Sequence, residues 1–320
     1  MITDTILMNK KTHILITIII TVLTLIICPV IYNQPFIEYN LYTGKKESVY
    51  KEQIIKDNLI LNKKDTEIRI MTLNLLAHYK SWGGRPVEER SDIFFSVRDG
   101  YSPDVLGLQE MCYDWYTEIN KEKSSYKFIS PLKTAFPQKM TVILYNSNTV
   151  ELIDSGSITF SDCWNFKSRR AVWGIFRHKE TDKIFTVVNT HLSFLENSEE
   201  EKNFFTQTYQ VNELYMLIQT IDLQYPYPIF IIGDFNTKRR VSCQKSVINS
   251  GSYGILNSLY TDSENIAKNK YYGENFNFNN TLNDHIFIKG DVTVKNLSLL
   301  SQDCFCELSD HYPLFADIKL

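Results

Sequence analysis

The sequence predicts an α/β fold preceded by one N-terminal transmembrane helix. Segments rich in β-branched and aromatic residues, which are typical of strands, are interspersed with two segments in which apolar residues recur at helical spacing. The 320 residues, 43% of them apolar, suffice for one large domain with a substantial core. Only the beginning of the chain differs in kind, because it contains a long uncharged apolar run.

Charge and cysteine content argue against a strongly basic nucleic-acid-binding protein, a disulfide-rich scaffold and a zinc-binding protein. The 34 basic and 37 acidic residues give a formal net charge of −3, so the chain has no overall basic field of the kind that attracts nucleic acid. Six cysteines are too few for a disulfide scaffold, and their spacing does not match a zinc site.

The apolar run extends from Ile14 to Ile31. As a helix it would be about 27 Å long, close to the bilayer core of about 30 Å. Lys10 and Lys11 precede the run, and the next positive charge after it is Lys45. By the positive-inside rule, the N-terminus is expected in the cytosol and the body of the protein outside.

A cleaved signal peptide is the alternative for the same run, but no small-residue cleavage site follows it. We therefore favour an uncleaved signal anchor over secretion after cleavage, and expect a single-pass membrane protein with an extracytoplasmic body. The predicted organisation is a cytosolic stretch over residues 1–13, a transmembrane segment over residues 14–31, a polar juxtamembrane linker over residues 32–66 and one domain over residues 67–320.

The domain is predicted to begin as a β-α-β unit. An alternating strand covers Glu67–Asn74, a helix covers Glu88–Gly100, and a buried strand covers Pro103–Glu110. Strands that alternate with helices in this way indicate an α/β arrangement.

Two strand pairs and a long helix follow, at Met140–Asn146, Val150–Phe160, Ala171–Arg177, Ile184–Asn189 and Glu199–Leu223. The helix leads into a buried strand over residues 228–232. Residues 238–283 are rich in asparagine and tyrosine and are predicted to be loops with a short helix. Three further strands are predicted, at Asn283–Ile288, Val292–Leu300 and Leu314–Leu320.

Polar side chains end six of these strands. They are Asn74, Glu110, Asn189 with His191, Asp234 with Asn236, Asp284, and Asp310 with His311. Because side chains alternate along an extended chain, Asp234 and Asn236 are expected to point the same way, with Phe235 in the core. One such strand end is typical of an ordinary turn, whereas six together indicate a shared site.

The chemistry of these side chains favours a bound metal. If the strand ends converge, four carboxylates share one pocket, and each pair about 4 Å apart repels by about 4 kcal/mol at an effective dielectric of about 20. Such a cluster requires a cation, and oxygen ligands without cysteine select Mg²⁺, Mn²⁺ or Ca²⁺ over zinc. The two histidines suit proton transfer and stabilisation of a developing anion.

Six motifs, in order, resemble those of the endonuclease/exonuclease/phosphatase superfamily, which includes the pancreatic deoxyribonuclease. They are Thr72-Leu73-Asn74, Leu108-Gln109-Glu110, Asn189-Thr190-His191-Leu192, Gly233-Asp234-Phe235-Asn236, Asp284-His285-Ile286-Phe287 and Ser309-Asp310-His311. The resemblance covers residues 67–320. It implies a four-layer α/β sandwich, with two packed mixed β-sheets between outer helices. It also implies metal-dependent hydrolysis of a phosphate ester, and a phosphodiester is the favoured substrate.

The resemblance also implies a metal-binding role for three residues. Glu110 would be the principal ligand of the divalent cation, Mg²⁺ or in its place Mn²⁺ or Ca²⁺. Asn74 and Asp310 would complete or support the metal site.

Five other residues would carry the catalytic steps by the same resemblance. Asp284 would orient His311, which would act as the base on the attacking water or carry a proton near it. Asp234 would position or deprotonate that water. Asn236 and His191 would bind phosphate oxygens as charge develops in the transition state.

The resemblance leaves the substrate open. Asn283-Asp284-His285-Ile286 departs from the cysteine-aspartate-arginine signature of inositol 5-phosphatases, so that substrate is disfavoured. A phospholipid phosphodiesterase similar to neutral sphingomyelinases and an extracytoplasmic nuclease both fit a membrane tether, and we expect a monomer.

Arg169 or Arg170 would reach a phosphate, although a solvated pair is the simpler interpretation. A catalytically inactive, membrane-tethered adaptor is the alternative from another class, and the presence of every motif argues against it.

Overall fold

A computed structural model describes residues 49–77, 85–129, 140–161, 169–194, 200–237, 251–274 and 283–320, without the side chains of residues 200–205. The predicted transmembrane segment Ile14–Ile31 and the predicted cytosolic residues 1–13 lie outside the described residues, as do residues 32–48 of the predicted linker. Among the residues that the structure describes, no helix is both long and apolar enough to cross a bilayer.

Thirteen strands of the described chain form two mixed β-sheets. The strands are β1 (Ile68–Asn74), β2 (Val105–Met111), β3 (Tyr126–Ile129), β4 (Met140–Asn146), β5 (Val150–Thr159), β6 (Arg170–His178), β7 (Ile184–His191), β8 (Ile229–Asp234), β9 (Thr261–Asp262), β10 (Asn269–Tyr272), β11 (Asp284–Lys289), β12 (Thr293–Leu299) and β13 (Leu314–Lys319). The first sheet has the order β10-β12-β13-β1-β2-β4-β3, and the second has the order β5-β6-β7-β8-β11-β9.

Helices cover the outer face of each sheet. They are α1 (residues 49–60), α2 (Val87–Tyr101), α3 (Tyr113–Lys121), α4 (Glu200–Gln224) and α5 (Gly251–Leu259). A short sixth helix, α6 (Ser263–Ile266), contacts β11 and β12, one strand of each sheet. Phe94 and Trp115 of α2 and α3 pack on the first sheet, and Leu214 and Leu256 of α4 and α5 pack on the second. A third apolar layer fills the space between the two sheets. The predicted α/β sandwich of two packed mixed sheets is thus the observed architecture.

Two parallel strand pairs at the centre of the sandwich bring the strand ends together. β1 lies parallel to β2 in the first sheet, and β7 lies parallel to β8 in the second. β1 and β2 pack across the sandwich against β8 and β7, so the carboxyl ends of these four strands meet at one edge. β11 and β13 run antiparallel to β8 and β1, so the residues that begin or precede these two strands lie at the same edge.

The sequence pattern did not predict several helices and strands. Helix α1 falls within the predicted linker, and Tyr50, Ile54 and Leu61 join the core on the outer face of the first sheet. Helix α3 and strand β3 were not predicted, and residues 251–274, predicted as loops with a short helix, contain two helices and two short strands. Elements of two to four residues such as β9, β10 and α6 are too short to show a sequence period.

Candidate active site

Gly233 allows β7 and β8 to end side by side. Its φ is +141°, and a Cβ atom at this position would lie 1.9 Å from the backbone oxygen of Thr190. Only glycine tolerates so close an approach of two backbones. The parallel register pairs His191 with Asp234, and the Nε2 atom of His191 lies 3.2 Å from Oδ2 of Asp234.

Asp234 is the hub of the candidate site. Its Oδ2 atom accepts a hydrogen bond of 3.0 Å from Nδ2 of Asn74, in addition to the contact with His191. Nε2 of His311 lies 3.8 Å from the same oxygen. The other carboxylate oxygen accepts the backbone N–H of Asn236 at 2.9 Å. Three side chains from three different chain segments therefore converge on one buried carboxylate.

His311 is held between two carboxylates. Its Nδ1 atom lies 2.6 Å from Oδ2 of Asp284, and Asp284 stands opposite Asp234 in the register of β8 and β11. Burial acts to lower the pKa of His311, but the charges of Asp284 and Asp234 outweigh burial and raise this pKa to about 10. Burial raises the pKa of Asp284 to about 6, although His311 opposes the rise. At neutral pH the proton of the pair therefore resides on His311 in the metal-free protein.

His191 is neutral and Asp234 is ionised. Burial, together with the charge of Arg169, lowers the pKa of His191, so its contact with Asp234 assigns the ring proton to Nε2. Its Nδ1 atom is buried without a hydrogen-bond partner among the described residues. Burial acts to raise the pKa of Asp234, but His191, His311 and the amide of Asn74 hold it well below its usual range.

Glu110 reaches the site through a distorted strand. Its φ is +56°, and the pairing of β2 with β4 shifts register between Leu108 and Met111. A non-glycine residue in this conformation costs about 1–3 kcal/mol, a strain that is concentrated at functional sites. The side chain is 8% exposed, and its Oε2 accepts the backbone N–H of Ala77 at 3.2 Å.

The remaining predicted site residues occupy different places. Asp310 is exposed at the rim, and the hydroxyl of Ser309 contacts both its carboxylate at 3.2 Å and the backbone oxygen of Asn74 at 2.6 Å. Asn236 has a φ of +49° and donates its amide to the backbone oxygen of Leu192 at 2.9 Å. Asn236 thus lies beside Asp234 through a backbone turn and not through strand alternation.

Asn189 ends the same strand as His191 but lies in the core. Its amide is fully buried between the sheets, where it accepts a hydrogen bond from Gln109 at 2.7 Å and donates to the backbone oxygens of Leu108 and Val142. It links the two sheets behind the site.

Arg90 supports the site and was not predicted. This buried arginine of α2 donates to the backbone oxygens of Leu75, Leu76 and Leu308 at 2.6–3.0 Å and stacks on Trp115. It therefore fixes the chain just after Asn74 and just before Ser309. The sequence did contain a signal for its burial, because the position of Arg90 continues the apolar stripe of α2.

The donor set fits a hard divalent cation. Ligand atoms of Asp234, Asp284 and His311 lie within 4.8 Å of one another, and this group contains none of the three predicted metal ligands Glu110, Asn74 and Asp310. The predicted ligand Asn74 borders this group through its bond to Asp234, but its Oδ1 already accepts the N–H of Leu76 at 3.0 Å. Carboxylates dominate the site, so oxygen-preferring cations suit it better than zinc.

Comparison of the sequence with protein-family models and with curated proteins gives no match. The fold does match solved structures. An endonuclease/exonuclease/phosphatase family protein from Bacteroides thetaiotaomicron has a TM-score of 0.64 at 16% identity, over 79% of this chain and 97% of that chain. A mannosyl-6-phosphatase from the same organism has a TM-score of 0.63 at 16% identity, over 79% of this chain and 100% of that chain. The human Nocturnin catalytic domain, solved with a bound sulfate anion, has a TM-score of 0.58 at 20% identity, over 79% and 93%. The resemblance predicted from the six motifs is confirmed in the fold, and the chain has the two-sheet sandwich of the endonuclease/exonuclease/phosphatase superfamily.

Proposed function

We propose that this protein is a divalent-metal-dependent hydrolase of phosphoric esters, with phosphodiesters as the first substrate class. One observation carries the proposal: Asp234 gathers Asn74, His191 and His311 around one carboxylate, while Asp284 holds the far side of His311. The pKa of Asp234 is lowered and that of Asp284 is raised. Such opposed shifts in neighbouring ionisable groups are typical of acid–base catalysis.

The proposed division of labour combines the roles that the motif resemblance implies with the contacts in the site. Glu110, Asn74 and Asp310 would hold the cation, which supplies charge neutralisation at the phosphate. Asp234 would orient the attacking water, since Asn74, His191 and His311 hold its carboxylate in place. His311 would move the proton, with Asp284 fixing its ring by the 2.6 Å contact.

The two remaining groups would act on the phosphate and on Asp234. Asn236 would contact a phosphate oxygen from its turn. His191 donates to Asp234 at 3.2 Å, so it would hold that carboxylate in place as well as face the developing charge.

The test is a substrate panel on the detergent-solubilised full chain, with Mg²⁺ and with chelator. The panel contains duplex and single-stranded DNA, RNA, sphingomyelin, other phospholipids, and phosphomonoesters including a sugar phosphate. Asp234→Ala and His311→Ala should each abolish chelator-sensitive turnover, whereas Asp222→Ala, at a partly exposed ion pair with Lys289, should not. Turnover unchanged in both site variants contradicts the catalytic assignment, and absence of any turnover in the wild type favours the adaptor.

The same panel assigns the substrate. Hydrolysis of sphingomyelin or other phospholipids alone supports a sphingomyelinase-like enzyme, and hydrolysis of nucleic acid alone supports an extracytoplasmic nuclease. The sugar phosphate is included because one structural relative carries the name mannosyl-6-phosphatase.

We also propose that Ile14–Ile31 anchors the protein, as a monomer, with its domain outside the cytosol. The support is the uncharged run and the asymmetric lysines around it. A tether holds an enzyme near membrane-borne substrate at high effective concentration. Removal of residues 1–48 should release the protein from membranes in an alkaline extraction, and a released full chain contradicts the anchor. The deletion stops there because Tyr50 and Ile54 belong to the core.

A further inference from the structure

Two glutamines of α4 lie beneath the loops that follow β7 and β8. Gln207 and Gln210 are both fully buried, with 0% of each side chain exposed. The loops above them carry Ser193, two residues after His191, and Asn236, two residues after Asp234. The helix thus presents amide groups to the backbone of both loops of the candidate site.

Gln207 binds both loops at once. Its Nε2 atom donates to the backbone oxygen of Ser193 at 2.9 Å, of Phe235 at 3.0 Å and of Asn236 at 3.2 Å. Gln210 binds only the first loop, since its Oε1 accepts the N–H of Ser193 and its Nε2 donates to the hydroxyl of Ser193, each at 2.8 Å. One glutamine therefore joins the two loops, and the other anchors one of them.

Packing alone does not explain Gln207. Its Oε1 atom is buried and has no hydrogen-bond partner among the described residues, which is an unfavourable state for a polar atom. A methionine would fill a similar volume without that penalty. Rotation of the amide would place Oε1 against three backbone oxygens, so the observed orientation is the one that the loops permit.

On the side away from α4, hydrogen bonds within the candidate site already join the two loops. Asn236 donates its amide to the backbone oxygen of Leu192 at 2.9 Å, and the N–H of Leu192 donates to the backbone oxygen of Asp234 at 3.0 Å. Gln207 closes the same pair of loops from the helix side. Without it, the turn at Asn236, held at a φ of +49°, loses its support from below.

We propose that Gln207 is a positioning residue that sets the spacing of the His191 and Asn236 loops and so holds Asp234, His191 and Asn236 in their working geometry. This inference rests on the proposed hydrolase function for its kinetic consequence. Its structural consequence, the restraint of two loops by one amide, does not depend on the activity.

The experiment compares Gln207→Met, Gln210→Met and, as a matched control, Gln224→Met at the exposed end of the same helix. The full chain is assayed on the best substrate of the panel, with activity normalised to the folded fraction. We expect Gln207→Met to lower kcat by about 10- to 100-fold, because misplacement of about 1 Å has effects of this size, with little change in KM. Gln210→Met should lower kcat only a few-fold, and Gln224→Met should match the wild type.

Backbone hydrogen exchange supplies the readout that is independent of activity. Gln207→Met should speed exchange in residues 192–194 and 235–237, whereas Gln210→Met should speed it only in residues 192–194. Unchanged exchange in both segments, or a kcat of Gln207→Met within twofold of the wild type, overturns the inference. If Gln207→Met does not fold, Gln207→Asn, which keeps the amide but shortens its reach, takes its place with the same expected results. A wild type without turnover contradicts the proposed function, and the exchange comparison then decides the inference on its own.

Discussion

The pair of His311 and Asp284 predicts a pH dependence of stability for the metal-free protein. Folding raises the pKa of His311 from 6.5 to about 10, so between these values the folded chain holds a proton that the unfolded chain releases. The contribution to the free energy of unfolding is therefore complete below pH 6.5 and is lost as the pH rises through about 10. Linkage gives a loss of about 1.4 kcal/mol for each pH unit inside this window.

Asp284→Asn removes the nearer of the two charges that hold this proton on His311, while it preserves the size of the side chain. Two unit charges at the observed 2.6 Å attract by about 6 kcal/mol at an effective dielectric of about 20, and this attraction acts with that of Asp234 to outweigh the burial of the imidazolium. Between about pH 7 and about pH 9, the wild type should therefore lose about 3 kcal/mol of stability, and Asp284→Asn should lose clearly less, because only Asp234 then remains close to His311.

Urea unfolding of residues 49–320 in chelator, at several pH values across this range, measures the difference. Asp222→Asn is the control, because it removes one carboxylate from a partly exposed ion pair with Lys289 and leaves His311 untouched. Its curve should run parallel to that of the wild type. A parallel curve for Asp284→Asn would refute the reasoning, because the proton on His311 would then not depend on Asp284.

Three further predictions concern single residues. Gly233→Ala should cost at least about 3 kcal/mol of stability, because its Cβ would lie 1.9 Å from a backbone oxygen of β7. Gly254→Ala in α5, where a Cβ meets nothing within 4 Å, should instead add about 0.5–1 kcal/mol, and a loss of similar size in both variants contradicts the steric explanation. Arg90→Met should lower the free energy of unfolding, measured in urea, by about 3–5 kcal/mol, since three buried backbone oxygens lose their donor. The control Arg85→Met, at an exposed arginine, should lower it by less than about 1 kcal/mol. Equal losses in the two variants would be inconsistent with the supporting role of Arg90. Mg²⁺ at about 100 times its Kd should stabilise the wild type by about 2.7 kcal/mol, and thermal unfolding should show most of this gain lost in Glu110→Gln; a gain retained in full removes Glu110 from the predicted ligands.

The sequence predicted the strands and the edge at which they end. Strand alternation and apolar runs are local properties, and parallel strands place their carboxyl ends together whatever the rest of the chain does. For this reason Asp234, His191 and Asn74 could be placed in one site before any contact was known. Their individual roles, and those of the other site residues, stay predictions.

Local patterns failed where the backbone leaves the strand conformation. Asn236 was expected beside Asp234 by alternation, yet it reaches that place through a turn with a φ of +49°. Glu110 likewise enters the site through an irregular strand pairing. Positive φ at a residue other than glycine is decided by tertiary contacts, which no local period contains.

The supporting residues were also beyond the reach of sequence patterns. Arg90 and Gln207 donate hydrogen bonds to backbone oxygens of distant loops. Because every residue has a backbone oxygen, the sequence does not show which ones these side chains bind. Asn189 shared a motif with His191 but points between the sheets. Side-chain type therefore identified the candidate chemistry, whereas the hydrogen bonds that hold it could be identified only from the structure.

The place of β13 in the first sheet has a consequence for folding. This strand lies between β12 and β1, and its register pairs Ile318 with Ile68, so a central pair of the sheet joins segments 250 residues apart. Contacts of such long range pay a large loop-closure entropy before they gain any stability, and they slow folding. Asp310 and His311 lie just before β13, so this long-range pairing also brings them to the site. A chain folded only as far as β12 would have β1 as an exposed edge and no assembled site, and we expect acquisition of activity and closure of the sheet to be one kinetic event.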